Sequence, residues 1–490
     1  MDYKFLKSGT DIRGYASDLG GKNVELTDEA VDDIISAFVV WYVNKFNVSP
    51  EELKIAIGHD SRITADRISA AAINALENSG VSVLDCGLSS TPAMFMTTVD
   101  LHTNAAIEIT ASHHPFDRNG IKIFLPSGGL EGKDVSEILD LASQSMRVFN
   151  VKKGNTVISH YMKDYAGRLR NLIIDGAGKG DMPLKGLKIV VDAGNGVGGF
   201  YAREVLKPLG ADIEGSRFLE PDGMFPNHIP NPEDKTAMQS ICEAVLQNNA
   251  DLGIIFDTDV DRAGCVGPDG AEINRNRLIA LAAYIAMGGK TGQTIVTDSV
   301  TSDGLKTYIE KTLGGKHYRY RRGYKNVIDK AIELVNGGIE CPLAIETSGH
   351  AALRENYFLD DGAYLATKVV IEVAKGTDIE KLLSPLKIPA DEREYRINIT
   401  EKDFKNYGQT VIDELEKYIS AKEGYRIADD NREGIRVSGK DGWFLLRLSV
   451  HDPVMPLNFE SDTLTGIDAM IADIKPFLDK FHGLSLPQGL

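Results

Sequence analysis

Three carboxylates occur at alternate positions, at Asp257, Asp259 and Asp261, and Arg262 follows them. In an extended chain alternate side chains project the same way, and crowded carboxylates repel one another unless a cation lies between them. Oxygen ligands suit a hard ion, so we predict a Mg²⁺ site here. An EF-hand needs glycine at the sixth position and glutamate at the twelfth, where this chain has Arg262 and Pro268. An ordinary acidic turn is the alternative.

Ser112 lies in the sequence TASHHP, just after the apolar run AIEIT. A hydroxyl at the end of a strand can reach a cleft, and the neighbouring His113 could act as its base, so the pair is a candidate nucleophile and base. The chain lacks G-x-S-x-G at this point, which argues against acyl chemistry. The alternative is a serine that caps a turn and a histidine that fills space.

The glycine run at residues 194–199, GNGVGG, formally fits G-x-G-x-x-G and follows the apolar run KIVVDA. Glu214 also lies at the spacing expected for the ribose-binding acid of a dinucleotide site, about 20 residues on. A nucleotide-dependent oxidoreductase is therefore the rival interpretation. A single fingerprint is weak evidence, however, because a glycine turn between strand and helix also serves packing.

Residues 316–325, KHYRYRRGYK, are a basic run in an acidic chain. Cations interleaved with aromatic rings occur in RNA-binding proteins. Because this is one short run at a turn between strand and helix, a phosphate clamp or an ordinary surface strand is favoured. Arg321 and Lys325 are the candidate substrate-binding cations of such a clamp.

The elements that must position these residues form a repeat. Three β-branched runs, KIAIGHD, KIVVDAG and TIVTDS, each precede a helical pattern and a second run, VSVLDC, ADIEGS or KHYRYR, which predicts βαβ units. A further strand, AIEIT, LGIIF or PLAIE, then ends in each polar loop. We predict a threefold internal repeat whose strand ends surround one cleft.

The C-terminal hundred residues depart from this repeat. A helical stretch near Asp403–Tyr418 precedes the runs GIRVS and GWFLLRLS, and a helix from about Leu464 follows them. This order predicts a separate, smaller α+β domain.

Composition narrows the class of protein. The 490 residues include 54 Lys and Arg against 71 Asp and Glu, for a net charge of −17, which argues against nucleic-acid and membrane partners. Small phosphorylated substrates held by local cations stay compatible with this charge. Four cysteines without a CxxC spacing argue against a disulfide framework or a cysteine zinc site. The amino terminus lacks the apolar core of a signal peptide, so we predict a cytoplasmic protein.

Taken in order, the motifs resemble those of the α-D-phosphohexomutases, the family of phosphoglucomutase and phosphomannomutase. TASHHP resembles the phosphoserine loop of that family, DTDVDR its magnesium loop, and ETSGH at 346–350 its sugar-specificity loop. The segments SGTDIRG at 8–14 and NGIK at 119–122 are similar to further active-site segments. VDAGNG recurs in the family as a structural turn, which disfavours the dinucleotide interpretation.

The resemblance implies an α/β fold in which three related α/β domains with mixed sheets form a central cleft, with a smaller C-terminal α+β domain. The implied boundaries are 1–155 for the phosphoserine-loop domain, 156–288 for the metal-binding domain, 289–390 for the sugar-binding domain and 391–490 for the phosphate-binding domain.

It also implies a reversible shift of phosphate between O1 and O6 of a hexose, through phosphorylated Ser112 and a hexose 1,6-bisphosphate intermediate that also serves as activator. Mg²⁺ would be held by Asp257, Asp259, Asp261 and a phosphate oxygen on Ser112. The implied partners are small-molecule sugar phosphates. The candidate acid–base or charge-stabilising residues, which the sequence does not rank, are Arg13, His113, Lys122, Arg262 and His350.

Glu346 and Ser348 match the family's contacts to sugar hydroxyls, and Thr347 and Gly349 complete that substrate-binding loop. Contacts to O3 and O4 would admit both glucose and mannose, which differ at C2. A hexose-bisphosphate synthase, a phosphoserine-type phosphatase and a weakly catalytic sugar-phosphate-binding protein are the alternative functions.

The chain departs from the family pattern in three places. His114 stands where asparagine is usual, and Arg321-Arg322-Gly323 replaces a more usual Lys-Thr-Gly. The fourth-domain phosphate loop is spelled RLSVHDP, from residue 447 to residue 453. Compared with the family's Arg-Pro-Ser-Gly-Thr-Glu-Pro pattern, it keeps Arg447 and Ser449. His451 could donate a hydrogen bond to a phosphate in place of the threonine hydroxyl.

Overall fold

A computed structural model describes residues 1–449 and 452–490. The chain folds into two compact units. The first comprises Met1–Asn274, Ser348–Ala351 and Leu359–Ile379, and the second comprises Arg275–Thr347, Ala352–Phe358 and Glu380–Leu490. In the described part of the chain, no helix has both the length and the apolar character that crossing a membrane requires.

The first unit begins with an eight-stranded mixed sheet in the order β1-β2-β6-β5-β3-β4-β8, with β7 paired to β6. The central strands β3, β4 and β5 are parallel, and β6 runs antiparallel to β5. The strands of this sheet are β1 (Lys7–Ser8), β2 (Asp11–Tyr15), β3 (Lys54–His59), β4 (Ser82–Leu88), β5 (Ala105–Ile109), β6 (Arg118–Leu125), β7 (Gly128–Gly129) and β8 (Thr156–Ile158).

Helices cover this sheet and complete one apolar core. They are α1 (Asp28–Phe46), α2 (Ala65–Asn78), α3 (Thr91–Asp100) and α4 (Gly132–Ser143), and short 3₁₀ turns lie at Lys4–Leu6 and Pro50–Glu52. Ile34 and Phe38 of α1 pack with Ile55 and Ile107 of the parallel strands, all fully buried. Burial on both faces explains why these strands read as continuous apolar runs.

The second sheet of this unit has the order β12-β11-β10-β9, with β9 and β10 parallel. Its strands and helices are β9 (Ile189–Asp192), β10 (Leu252–Phe256), β11 (Ala263–Val266), β12 (Glu272–Ile273), α5 (Tyr161–Ala177), α6 (Lys235–Asn248) and α10 (Gly362–Lys375). The run ADIEGS, predicted as a strand, makes a single isolated bridge among the described residues, between Asp212 and Lys188. The side chain of Asp212 accepts the N–H of Glu214, and Gly215 has a φ of 98°, so the chain turns there.

The second unit contains a four-stranded sheet in the order β14-β13-β15-β16, in which β13 is parallel to β14 and β15. Its elements are β13 (Thr294–Asp298), β14 (Lys316–Tyr320), β15 (Leu343–Ile345), β16 (Ala351–Leu353), α7 (Arg275–Met287), α8 (Asp303–Thr307), α9 (Tyr324–Asn336) and α11 (Ile379–Leu383). Helix α9 packs Val327 and Ala331 onto Val296 of the sheet.

The C-terminal part of this unit has a six-stranded sheet in the order β18-β19-β20-β21-β17-β22, antiparallel in every pair, with two helices. The elements are β17 (Asp391–Ile399), β18 (Arg426–Ile427), β19 (Ile435–Ser438), β20 (Gly442–Leu446), β21 (Val454–Ser461), β22 (Leu484–Ser485), α12 (Phe404–Ser420) and α13 (Gly466–Leu478). The sequence pattern predicts both helices, β19 and β20. It extends β20 too far, because the strand ends at Leu446, before Arg447.

The three predicted repeats share one arrangement. In each of the first three sheets, the strand that opens the repeat pairs in parallel with the strand that precedes the polar loop: β3 with β5, β9 with β10 and β13 with β15. The predicted fold class, three α/β domains with mixed sheets and a smaller C-terminal α+β domain, is confirmed.

Candidate active site

Ser112 follows β5 in a tight loop and is 1% exposed. Its backbone has a φ of 53°, a left-handed conformation that is uncommon for serine. The N–H of Ser112 donates to Oγ1 of Thr110 at 2.9 Å. A strained backbone of this kind persists only where surrounding contacts hold it, and such positions cluster at functional sites.

The acidic loop connects β10 to the antiparallel β11, so the chain reverses direction at residues 257–262. The prediction that this segment is extended is wrong, because a hairpin connection requires a turn and Val260 has a φ of 68°. The carboxylates still converge. Asp257, Asp259 and Asp261 each offer an oxygen, and these oxygens lie within 4.8 Å of one another in a fully buried cluster.

Lys122 of β6 balances part of this charge. Its ammonium lies 2.6 Å from Oδ2 of Asp261 and 3.2 Å from Oδ2 of Asp259. The Oδ1 atoms of both aspartates are buried without a hydrogen-bond partner among the described residues. Buried carboxylate oxygens of this kind fit a hard cation, and the residues present therefore suit Mg²⁺.

Burial, followed by the charges of Asp261 and Asp259, raises the pKa of Asp257 well above its ordinary value. These influences shift the equilibrium of Asp257 toward its neutral form relative to an exposed carboxyl. Burial acts in the same direction on Asp261, but Lys122, His350 and Arg262 outweigh it and lower the pKa of that carboxyl. A cation bound here would oppose that shift, because metal ions bind the deprotonated carboxylate.

The serine loop and the acidic loop meet directly. The hydroxyl of Ser112 donates to Oδ2 of Asp257 at 3.3 Å and lies 3.2 Å from Nδ1 of His113. Arg262 donates to the same Nδ1 atom at 2.9 Å. His113 therefore accepts at Nδ1, as a neutral imidazole does.

Burial and nearby guanidinium groups keep two histidines neutral. Burial and Arg262 lower the pKa of His113 to about 2, and burial and Arg13 lower the pKa of His114 to about 3. The two rings stack with centroids 5.3 Å apart. Cationic side chains around a buried serine provide the electrostatic environment that a phosphoryl group requires.

Arg13 lies on β2 and forms an ion pair with Asp11 at 2.7 Å. The strand pairs with β6, where Arg13 lies opposite Gly120. A Cβ atom at Gly120 would lie 2.6 Å from the carbonyl oxygens of Ile12 and Thr110. The glycine of the NGIK segment is therefore required by close packing of β2, β6 and the serine loop.

The third polar loop, ETSGH at 346–350, contributes His350 to the first unit. Residues 262 and 350 form a β-bridge, and Nδ1 of His350 lies 3.7 Å from Oδ1 of Asp261. The same Nδ1 lies 2.6 Å from Oδ2 of Asp360, whose Oδ1 accepts the N–H of Ala351. Burial lowers the pKa of His350, but Asp360 and Asp261 outweigh burial and raise it. No motif in the sequence predicts Asp360 as a site residue.

Ser348 and Gly349 are also in the first unit and are buried. Gly349 has a φ of 93°, and its carbonyl oxygen accepts the N–H of Ala263 at 3.5 Å. A Cβ atom there would lie 2.8 Å from the carbonyl oxygen of Ala263. This glycine thus holds the third loop against β11.

The glycine run at 194–199 packs directly against the acidic loop. The N–H of Val197 donates to the carbonyl oxygen of Thr258 at 2.8 Å, and a Cβ atom at Gly196 would lie 2.6 Å from that oxygen. Asp192 accepts the N–H of Gly194 and lies 3.0 Å from Nε2 of His228. These contacts give the run a packing role and remove the basis for the dinucleotide interpretation.

Glu346 and Thr347 belong to the second unit and are buried. Oε1 of Glu346 accepts the N–H of Gly323 at 2.5 Å, and Gly323 has a φ of 119° that favours glycine. The hydroxyl of Thr347 donates to Asp298 at 2.7 Å. The turn after the basic run therefore orients the carboxylate predicted to contact the sugar.

The cationic side chains of the basic run have different partners. Arg321 is exposed and donates to the carbonyl oxygen of Arg432, and Lys325 pairs with Asp329 at 3.0 Å. Arg322, for which the sequence predicts no site role, has its Nε 4.0 Å from Asp298, and its main-chain N–H donates to Glu433. These contacts place Arg322 beside the loop that carries Thr347.

Arg447 follows β20, and its Nε is buried without a hydrogen-bond partner among the described residues. Burial lowers the pKa of Arg447 and Arg322 lowers it further, while Glu433 opposes the shift. Ser449 accepts the N–H of Asp452 at 3.3 Å. His451, predicted to donate a hydrogen bond to a phosphate, lies outside the described residues.

Comparison with known proteins agrees with this geometry. Profiles of the phosphoglucomutase/phosphomannomutase alpha/beta/alpha domains I, II and III match residues 10–146, 164–270 and 274–387. A phosphoglucomutase from Neisseria meningitidis is 30% identical over 441 residues, which cover 89% of this chain and 90% of that protein. The chain belongs to the phosphoglucomutase/phosphomannomutase family.

Further similarities extend over nearly the whole chain. A phosphomannomutase/phosphoglucomutase from Pseudomonas putida is 30% identical over 434 residues, 86% of each chain. The crystal structure of a phosphoglucomutase/phosphomannomutase family protein from Burkholderia thailandensis superposes with a TM-score of 0.82 at 25% identity, covering 99% of this chain and all of that one. The predictions of family and of a phosphotransferase mutase are confirmed.

Proposed function

We propose that this chain is a Mg²⁺-dependent phosphohexomutase that interconverts hexose 1-phosphate and hexose 6-phosphate of glucose, mannose or both. Ser112 would carry the phosphoryl group in the resting enzyme, and hexose 1,6-bisphosphate would be both the intermediate and the activator that loads Ser112. The proposal includes the four domain boundaries and the cytoplasmic location predicted above.

One observation carries the proposal: the hydroxyl of a buried, strained serine lies 3.3 Å from a cluster of three buried aspartates. Phosphoryl transfer depends on positioning and on neutralising charge on the moving group. Asp257, Asp259 and Asp261 would hold Mg²⁺, which neutralises that charge when bound. A phosphate oxygen on Ser112 would complete the ligand set.

In the forward step, the bond between phosphorus and Oγ of Ser112 breaks as a bond forms from phosphorus to the free sugar hydroxyl. The proton of that hydroxyl passes to a base, and the leaving Ser112 oxygen is left negatively charged. The intermediate then turns round and returns its other phosphate to Ser112 by the reverse chemistry. His350, oriented by Asp360, and Lys122 are suited to move the proton.

The guanidinium and imidazole groups around Ser112 would stabilise the negative charge on the transferred phosphoryl group. Arg262 and Arg13 would donate to the phosphoryl oxygens, and His113 would donate through Nε2 because Arg262 occupies Nδ1. The proximity of Arg262 and His113 to Ser112 supports these roles.

Residues of the third and fourth sheets and their loops would bind the rest of the substrate. Glu346 and Ser348 would contact sugar hydroxyls. The proposed contacts to the remainder of the sugar phosphate are Thr347, Gly349, Arg321, Lys325, Arg447, Ser449 and His451.

The test is a coupled assay that converts glucose 1-phosphate to glucose 6-phosphate, run beside mannose and N-acetylglucosamine phosphates with and without Mg²⁺. Intact-mass measurement should detect one phosphoryl group on the wild-type chain and none on Ser112→Ala. A matched control is Ser69→Ala, which removes another buried hydroxyl from the first unit.

The alternative functions give different products. A phosphoserine-type phosphatase releases inorganic phosphate, a bisphosphate synthase accumulates hexose 1,6-bisphosphate, and a sugar-phosphate-binding protein does neither. Full mutase activity in Ser112→Ala would overturn the phosphoserine step, whereas phosphate release without isomerisation would overturn the mutase.

A further inference from the structure

Arg62 lies in the loop between β3 and α2 and is 2% exposed. Its Nε donates to Oδ2 of Asp60 at 3.2 Å. Its remaining four N–H groups point to main-chain carbonyl oxygens of the serine loop and the strand that follows it. The acceptors are Ser112 at 2.5 Å, His114 at 2.6 Å, Pro115 at 2.6 Å and Arg118 at 2.9 Å.

A second arm reaches the same loop from Asp60. Oδ2 of Asp60 accepts the hydroxyl of Thr110 at 2.7 Å, and Oγ1 of Thr110 accepts the N–H of Ser112 at 2.9 Å. The pair formed by Asp60 and Arg62 is therefore connected to both the N–H and the carbonyl group of Ser112. Those two peptide groups flank the residue whose φ is 53°.

The outer side of this cluster is covered by the segment 223–225. The ring of Phe225 lies 5.3 Å from the guanidinium carbon of Arg62. A Cβ atom at Gly223 would lie 2.3 Å from the main-chain nitrogen of Ile63, so the segment approaches the loop as closely as glycine permits. Exclusion of water strengthens hydrogen bonds and raises the cost of losing one.

From these contacts we infer that Arg62 is a positioning residue that holds the Ser112 loop in the conformation required for phosphoryl transfer. All five N–H donors of Arg62 are occupied by protein acceptors, so the guanidinium has no donor left for a phosphate. The effect on rate rests on the proposed function, whereas the effect on the loop does not.

Lysine cannot replace this arginine, because an ammonium has three donors on a single point and lacks the planar fork. Arg62→Lys should accelerate amide hydrogen exchange in peptides covering 111–118 by about tenfold or more, as expected for lost hydrogen bonds to a charged group. It should lower kcat by at least about tenfold while KM for glucose 1-phosphate changes by less than about threefold, because positioning acts on the transfer step.

Two further comparisons separate positioning from loss of stability. Arg147→Lys is the matched control, since the guanidinium of Arg147 contacts Asp32, Asp33 and Ser36 of α1. It should leave exchange at 111–118 and kcat near wild type. If Arg62→Lys does not fold, Thr110→Val, which removes the second arm, should reproduce both effects. Thr110→Ser, which keeps the hydroxyl, should restore the wild-type values.

Unchanged exchange at 111–118 in Arg62→Lys, or in Thr110→Val if the first variant does not fold, would overturn the inference. So would an equal change in Arg147→Lys. If the wild-type chain has no mutase activity, the proposed function fails and the exchange measurement still decides the role of Arg62 in holding the loop.

Discussion

The hydroxyl of Thr91 donates to Oδ2 of Asp259 at 2.5 Å, and the main-chain N–H of Thr91 donates to the carbonyl oxygen of Asp259 at 3.0 Å. The first residue of α3 therefore fixes both the backbone and the side chain of an aspartate in the acidic loop. Oδ1 of Asp259 is left without a hydrogen-bond partner among the described residues. Such outer contacts orient a carboxylate for a metal ion.

We expect Thr91→Val to weaken Mg²⁺ binding by roughly 10- to 100-fold, the usual effect of losing an outer-shell partner. Calorimetric titration with Mg²⁺ or Mn²⁺ measures this without reliance on activity. Thr98→Val is the matched control, because the Thr98 hydroxyl is buried in the same helix and donates to the carbonyl oxygen of Phe95. Equal affinities in the two variants would contradict the role of Thr91.

Lys122→Met should reveal how the acidic cluster is balanced. Removing one partner of a buried ion pair costs about 3–5 kcal/mol, so the free energy of unfolding should fall by that order in EDTA. Saturating Mg²⁺ should recover part of the loss, because the cation replaces the missing positive charge. Chemical denaturation with and without Mg²⁺ tests this, and an identical loss under both conditions would argue against a shared role for Lys122 and the cation.

Asp360→Asn should separate orientation of His350 from folding. The carboxylate of Asp360 accepts from both the ring of His350 and the N–H of Ala351, whereas an amide offers one acceptor oxygen and leaves one of these donors unpaired. We expect kcat to fall by about 10²-fold, within the range for a positioned acid–base group, with little change in KM. An unchanged kcat would remove His350 from the proton-transfer step.

Arg447→Ala should mainly weaken substrate binding. Its buried Nε has no partner among the described residues, so a phosphate oxygen would meet an available donor. A hydrogen bond to a charged group contributes about 1.5–3 kcal/mol, which predicts a KM raised by about one to two orders of magnitude. Steady-state kinetics on glucose 1-phosphate give the value, and Arg396→Ala of β17, an exposed arginine, is the control. A wild-type KM in Arg447→Ala would exclude this contact.

Glu460 should make stability depend on pH. Burial raises the pKa of Glu460, which lies opposite Trp443 in β20, from 4.5 to about 7. Between these pH values the folded state binds more protons than the unfolded state, so the free energy of unfolding falls as pH rises. Glu460→Gln should remove a decrease on the order of 3 kcal/mol between pH 4.5 and pH 8. Glu414→Gln, at an exposed position, should keep the wild-type dependence of the free energy of unfolding on pH. If Glu460→Gln also kept the wild-type dependence, Glu460 would not be the group responsible.

Local pattern was enough to predict the strands that carry the chemistry. AIEIT, LGIIF and PLAIE are buried parallel strands, and runs of this kind read as continuously apolar because helices or loops cover both faces. Each polar loop follows such a strand, so the sequence also predicts that the loop lies at a strand end. The sequence pattern does not predict the long strands β17 and β21. In β17, exposed, charged residues break the apolar run.

The sequence by itself determined that Ser112 and the three aspartates lie at strand ends, because strand and turn propensities act over a few neighbouring residues. Only the tertiary structure decided which distant groups meet them. Thr91 and Asp259 are separated by 168 positions, and Lys122 and Asp261 by 139. Sheet order and helix packing bring these pairs together. The sequence around one partner does not indicate which distant residue it will contact. The left-handed backbone of Ser112 likewise depends on acceptors and donors supplied from elsewhere in the fold, which is the physical reason that no local pattern predicts it.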